Sequence, residues 1–124
     1  MPRILIIEDD APMRSLLAEW LTAEGYDVRT ASHGDAAPRE PADLVIIDVY
    51  MPRHVAVERL HAVRAGHPGV PIVAISGQFR AGVRCEGPAA RALGVDRVIA
   101  KPFGCEALLE VVRSLIGPPV VAAS

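Results

Sequence analysis

Three short runs of this chain are apolar at every position: Ile4-Leu5-Ile6-Ile7, Leu44-Val45-Ile46-Ile47 and Ile72-Val73-Ala74-Ile75, and Val98-Ile99-Ala100 adds a fourth. A strand with one face in water alternates apolar and polar side chains. A strand covered on both faces has no reason to alternate. Runs this short and this continuous therefore predict parallel strands sandwiched between helices. A fifth run, Val28 to Ala31, is more polar and suits an edge strand. Helical patterns lie between the runs. Pro12 suits a first helical turn, Met13, Leu16, Leu17, Trp20 and Leu21 follow at helix spacing, and Gly25 stops them. Val55 to Ala65 carries Val57, Leu60 and Val63 and ends before Gly66. Leu108, Leu109, Val112, Leu115 and Ile116 form a last helix, stopped by Gly117-Pro118-Pro119. Alternating strands and helices predict a doubly wound α/β fold.

Two stretches break the alternation. Asp35 to Pro41 contains Pro38 and Pro41, which leaves room for a turn or two of helix. Phe79 to Gly94 contains Gly82, Gly87 and Pro88, so the chain is expected to be irregular and mobile from Phe79 to Pro88, with a short helix from Pro88 to Leu93. The tail after Gly117, residues 118–124, reads as disordered or as the stub of a linker.

At 124 residues the chain has the size of one domain. Its net charge of −2 argues against a dedicated nucleic-acid binder, which needs a basic face. No apolar run reaches the roughly 18 to 20 residues of a membrane span. Met1-Pro2-Arg3 leads directly into an apolar run without a small-residue cleavage site, so no secretory signal is expected. Cys85 and Cys105 form no motif and read as free thiols in a reducing cytosol. Arginine so dominates the basic residues that Lys101 is the single lysine, a hint that guanidinium does not substitute there.

Right-handed crossovers place the C-terminal ends of parallel strands on one edge, where such folds bind ligands. The run from Ile4 ends in Glu8-Asp9-Asp10, the run from Leu44 in Asp48, the run from Ile72 in Ser76-Gly77 and the run from Val98 in Lys101-Pro102. Each polar residue alone is explained by solvent or helix capping, and Asp10 reads as the N-cap ahead of Pro12. Together they make a chemical set. Carboxylates crowded at about 4 Å repel by roughly 4 kcal/mol per pair at an effective dielectric near 20. A hard divalent cation relieves that, and an all-oxygen site with room for waters suits Mg²⁺. A hydroxyl and an ammonium are what phosphoryl oxygens need. A carboxylate beside Mg²⁺ can attack phosphorus.

Ile7-Glu8-Asp9-Asp10-Ala11-Pro12-Met13-Arg14, Asp48-Val49-Tyr50-Met51-Pro52, Ser76-Gly77 and Lys101-Pro102-Phe103, in this order across residues 3–116, resemble the receiver domain of two-component response regulators. The resemblance implies a five-stranded parallel sheet of flavodoxin-like order 2-1-3-4-5, here with a shortened second helix and an irregular, short fourth helix, over residues 1–117. It implies that Asp48 accepts a phosphoryl group from a histidine kinase or histidine phosphotransfer protein. Asp9 would ligate Mg²⁺ directly, Glu8 largely through water, and Asp48 and the backbone carbonyl of Tyr50 would complete the protein ligands. Ser76 would sense the phosphoryl group and Lys101 would pair with it, next to a Lys101-Pro102 bond that resembles the family's cis peptide. The expected protein is a cytoplasmic switch or relay module rather than an enzyme beyond its own phosphorylation and dephosphorylation. Its readers would be a downstream protein target or a second copy of the chain, with no nucleic acid and no membrane.

The chain also departs from the pattern. Pro52 is followed by Arg53-His54-Val55-Ala56 in place of the usual aspartate and glycine. Val98 stands where the family often has a switching aromatic, and the segment from Ser76 to Lys101 is about three residues longer than is usual in the family. Val98 has no ring to swing and is stiff about χ1, so any conformational response is expected in the backbone between Gly77 and Leu93. Arg80, Arg84 and Arg91 in that segment read as solvated surface, with a partner- or anion-binding patch as the sharper alternative. His33, His54, His61 and His67 suggest neither metal nor phosphohistidine, and surface is the expectation. Trp20 and Phe103 read as core.

Three other functions fit these residues less well. A haloacid-dehalogenase-type phosphatase would want its nucleophile directly after the first strand and a second aspartate two residues on. A pseudo-receiver would bind a partner without phosphorylation. A flavin-binding protein of this fold would need a phosphate loop where three acids stand.

Overall fold

A computed structural model describes residues 2–31, 41–48, 53–76, 84–85, 95–100 and 103–118. The elements are β1 (Arg3–Ile7), α1 (Ala11–Glu24), β2 (Asp27–Ala31), β3 (Leu44–Asp48), α2 (Arg53–Gly66), β4 (Ile72–Ser76), β5 (Arg84–Cys85), β6 (Arg97–Ala100) and α3 (Cys105–Ile116). They form one sheet in the order β2-β1-β3-β4-β6-β5. Five strands are parallel, and β6 is the fifth of them, which reproduces the expected order 2-1-3-4-5. β2, the polar run, lies at one edge. The order doubles back at β1, so crossovers cover both faces of the sheet.

The pleat sorts the apolar runs into two cores. Leu5, Ile7, Val45, Ile47, Ile72, Ala74 and Val98 face Leu60 and Val63 of α2. Ile4, Ile6, Leu44, Ile46, Val73, Ile75 and Ile99 face Leu17 and Leu21 of α1 and Leu108, Leu109, Val111 and Val112 of α3. Consecutive residues of each run thus enter opposite cores, which is why the runs do not alternate in polarity.

The caps are local chemistry. Asp10 takes extended backbone and its Oδ2 accepts from the Met13 N–H at 3.2 Å, capping α1. Gly25 ends α1 at φ 107°, a left-handed conformation that costs any side chain dearly. Tyr26, 2% exposed, donates its hydroxyl to the Gly117 carbonyl at 2.8 Å. Arg113 meets Glu24 at 2.9 Å beside it, so the end of α1 is tied to the end of α3.

Four expectations are corrected. The chain from Phe79 to Pro88 is not irregular throughout: Arg84 and Cys85 pair antiparallel with Ile99 and Val98 and add a sixth strand. α2 begins at Arg53 and includes Gly66, because the turn that stops it comes at Gly69, whose φ is 77°. Leu16 is 38% exposed, because α1 packs only a narrow stripe against the sheet. His67 is no surface residue but 4% exposed, lodged where α2 turns back toward β4. His61 is exposed as expected. The stretch Asp35 to Pro41 apart from Pro41 itself, the stretch 88–93, the Lys101-Pro102 bond, Gly77, His33, Arg80, Arg91 and the tail after Pro118 lie outside the described residues.

Candidate functional site

Because β1, β3, β4 and β6 are parallel, their C-terminal ends share one edge of the sheet. Ile7 pairs with Ile47, so Glu8 and Asp48 follow in register on neighbouring strands. Both belong to the pleat positions of Ile6 and Ile46, and so point toward the α1 side. Asp48 itself pairs with Ile75, and one step further Ser76 pairs with Ala100, the residue before Lys101. The sheet register therefore brings the backbone of Glu8, Asp48, Ser76 and Ala100 to one edge.

Two carboxylates there are buried: Glu8 is 1% exposed and Asp48 3%. Asp9 and Asp10 are exposed. Glu8 is held on three sides. Its N–H continues the sheet by donating to the Ala31 carbonyl at 3.0 Å, its Oε1 accepts from the Asp10 N–H at 3.2 Å, and its carbonyl accepts from Arg14 Nη1 at 2.9 Å. Glu8 Oε2 and Asp48 Oδ1 are buried oxygens that accept no hydrogen bond, although each residue makes other interactions. Burying two acidic side chains on adjacent strands is costly unless positive charge joins them.

The donor set fits a hard divalent cation: carboxylate oxygens, with Glu8 fixed in place and Asp9 exposed next to it. Among the described residues no group of three or more His, Cys, Asp or Glu side chains is placed to hold a metal ion. Mg²⁺ keeps several waters and is held by one or two carboxylates. Tyr50 and Lys101 lie outside the described residues, as does the side chain of Ser76. No helix among the described residues is long and apolar enough to cross a membrane.

The remaining expectations divide. Trp20 and Phe103 are partly buried and pack against the α1–α3 core, with ring centroids 6.3 Å apart and planes at 72°. Val98 is buried in the α2-side core. Cys105 is a free thiol, as expected. Sequence reasoning assigned no role to Arg14, which stands in the motif after Asp10. The signal was available: a cation in the fourth position of α1 opposes the helix dipole and calls for an anionic neighbour.

Comparison with known proteins agrees with this geometry. Residues 4–113 match the family model described as the response regulator receiver domain. Over 119 residues the chain is 30% identical to the transcriptional regulatory protein CpxR of Escherichia coli, covering 94% of this chain and 50% of CpxR. The chain spans about half the length of the curated relatives it matches. Among solved structures it resembles the chemotaxis protein CheY4 of Vibrio cholerae, with a TM-score of 0.75 and 26% identity, covering 93% of this chain and 98% of that one. It also resembles the response regulator TrrA of Thermotoga maritima in complex with Mg²⁺–BeF, with a TM-score of 0.71 and 30% identity, covering 93% and 99%.

Proposed function

Because this chain belongs to the response regulator receiver domain family and is a two-component signalling module, we propose that Asp48 is its phosphoacceptor. A carboxylate oxygen of Asp48 attacks the phosphorus of a phosphohistidine on a histidine kinase or phosphotransfer protein. The P–N bond breaks, the imidazole leaves with the electron pair and is protonated, and an acyl phosphate forms on Asp48.

Glu8, Asp9, Asp48 and the Tyr50 carbonyl would hold Mg²⁺, which supplies positive charge to offset the carboxylates and the phosphoryl oxygens. Asp9 would provide a direct ligand, and Glu8 would act through water. Ser76 donates its hydroxyl to one phosphoryl oxygen, and the Lys101 ammonium pairs with another. The phosphorylated form is read in the cytoplasm by a downstream protein or by a second copy of the chain. One observation carries the proposal: buried Glu8 and Asp48 stand in register at neighbouring strand ends.

Incubation with acetyl phosphate, followed by intact-mass measurement, tests it. The chain is expected to gain one phosphoryl group with Mg²⁺ and none with excess chelator. Asp9→Asn is expected to raise the Mg²⁺ requirement more than Glu8→Gln, because a direct ligand loses more than a water-mediated one. Incorporation that ignores Mg²⁺, or equal losses in the two variants, contradicts these roles.

A further inference from the structure

α1 opens with no acidic residue in its first turn, and its fourth residue is Arg14. A cation at that end meets the positive pole of the helix, so its place there costs energy that another interaction must offset. The structure supplies that interaction. Arg14 Nη1 donates to the Glu8 carbonyl at 2.9 Å, which sets a half-buried guanidinium against the acidic strand end. The Glu8 carbonyl belongs to the same residue whose carboxylate is buried at the site. Asp10, one turn before Arg14, uses its Oδ2 on the Met13 N–H, so it caps the helix while Arg14 turns back to β1.

We propose that Arg14, through its charge, sets the divalent-cation affinity of the acidic edge. Its fixed charge offsets part of the repulsion among Glu8, Asp9 and Asp48 when no metal is bound, and it competes electrostatically with a metal when one binds. The inference rests on the reading of that edge as a Mg²⁺ site, but it concerns the strength of binding and not its existence.

Two opposing effects of Arg14 must be separated. If its charge matters, removing the charge tightens metal binding. If its hydrogen bond to Glu8 matters more, any substitution loosens binding. Arg14→Gln removes the charge; Arg14→Lys keeps it and loses the fork. The probe is Mn²⁺, counted from the loss of its free electron-spin-resonance signal, with Mg²⁺ as competitor and Asp9→Asn as the control for the site. Removal of one nearby unit charge, acting through a water-like dielectric, predicts that Arg14→Gln binds Mn²⁺ severalfold more tightly than the wild type. Arg14→Lys stays within about twofold of the wild type, and the Arg14→Gln gain shrinks as salt is raised.

A second readout needs no metal. In chelator, Arg14→Gln is expected to have a lower urea midpoint than Arg14→Lys at low salt, with the difference closing at high salt. Looser binding in both variants, or unchanged binding in Arg14→Gln, overturns the inference while leaving the metal site intact. Wild-type protein that takes up no more Mn²⁺ than Asp9→Asn overturns the metal reading itself.

Discussion

Replacing Asp48 with asparagine should make the metal-free protein more stable, at the expense of its function. Glu8 and Asp48 follow the register partners Ile7 and Ile47, and both are buried. Neighbouring strands lie about 4.8 Å apart. With roughly 6 Å between the two charges and an effective dielectric near 20, their repulsion is about 3 kcal/mol. Both residues make other interactions as well, and the gain on neutralising Asp48 is put at about 1–2 kcal/mol. Asparagine keeps the shape and can still accept hydrogen bonds. With a urea slope near 2 kcal/mol per molar, the midpoint rises by about 0.5–1 M. The assay is equilibrium urea unfolding followed by far-ultraviolet circular dichroism, in chelator and then in Mg²⁺. Mg²⁺ should stabilise the wild type by mass action and narrow the gap to Asp48→Asn. A lower midpoint for Asp48→Asn in chelator would refute the reasoning, as would a gap that Mg²⁺ leaves unchanged.

Other outcomes follow from contacts away from the acidic edge. Tyr26→Phe removes the hydroxyl that reaches Gly117 and should cost about 1 kcal/mol in urea unfolding; no change would mean that the link between the ends of α1 and α3 carries no stability. Burial raises the Tyr26 phenol above its ordinary value of 10.0, with Arg113 opposing the rise and Glu24 adding to it. The folded state therefore holds that proton more tightly than the unfolded chain, so this contribution is complete below pH 10 and is lost as pH rises through the folded value. A urea midpoint that falls less steeply above pH 10 in Tyr26→Phe than in the wild type checks the sign. Asp10→Ala should cost about 1 kcal/mol through loss of the α1 cap, whereas Asp10→Asn should be nearly neutral; equal losses would show that the charge rather than the cap matters.

The layers of the fold were legible because strand burial leaves a direct mark on the sequence. Ile4 to Ile7 and Leu44 to Ile47 are apolar throughout since each feeds two cores, and Asp10, Gly25 and Gly117 carry their capping roles in their own chemistry. The candidate site was legible as a set of strand-end residues, because parallel strands put their ends on one edge whatever the loops do. What escaped depends on tertiary placement. Leu16 has the spacing of a core residue, but the buried stripe of α1 runs through Leu17 and Leu21 and leaves Leu16 beside it. Arg84 and Cys85 have no strand signal of their own and pair because the outer edge of β6 offers unfilled backbone groups. His67 is buried by the turn that ends α2, and that turn lies at Gly69 rather than Gly66. Arg14 was visible as a charge on the wrong end of a helix, but its partner is a backbone carbonyl, which no sequence pattern displays.

The central claim is that Asp48 carries the phosphoryl group, and the most direct test maps the modified residue chemically. Wild-type protein is phosphorylated with acetyl phosphate and Mg²⁺, reduced with borohydride, digested and sequenced by mass spectrometry. Borohydride converts an aspartyl phosphate to homoserine and leaves a free aspartate unchanged. The account predicts homoserine at position 48 and nowhere else, with none at any position in Asp48→Asn. Homoserine at Asp9 or Asp10, or an unreduced chain under conditions that add a phosphoryl group by intact mass, would contradict it.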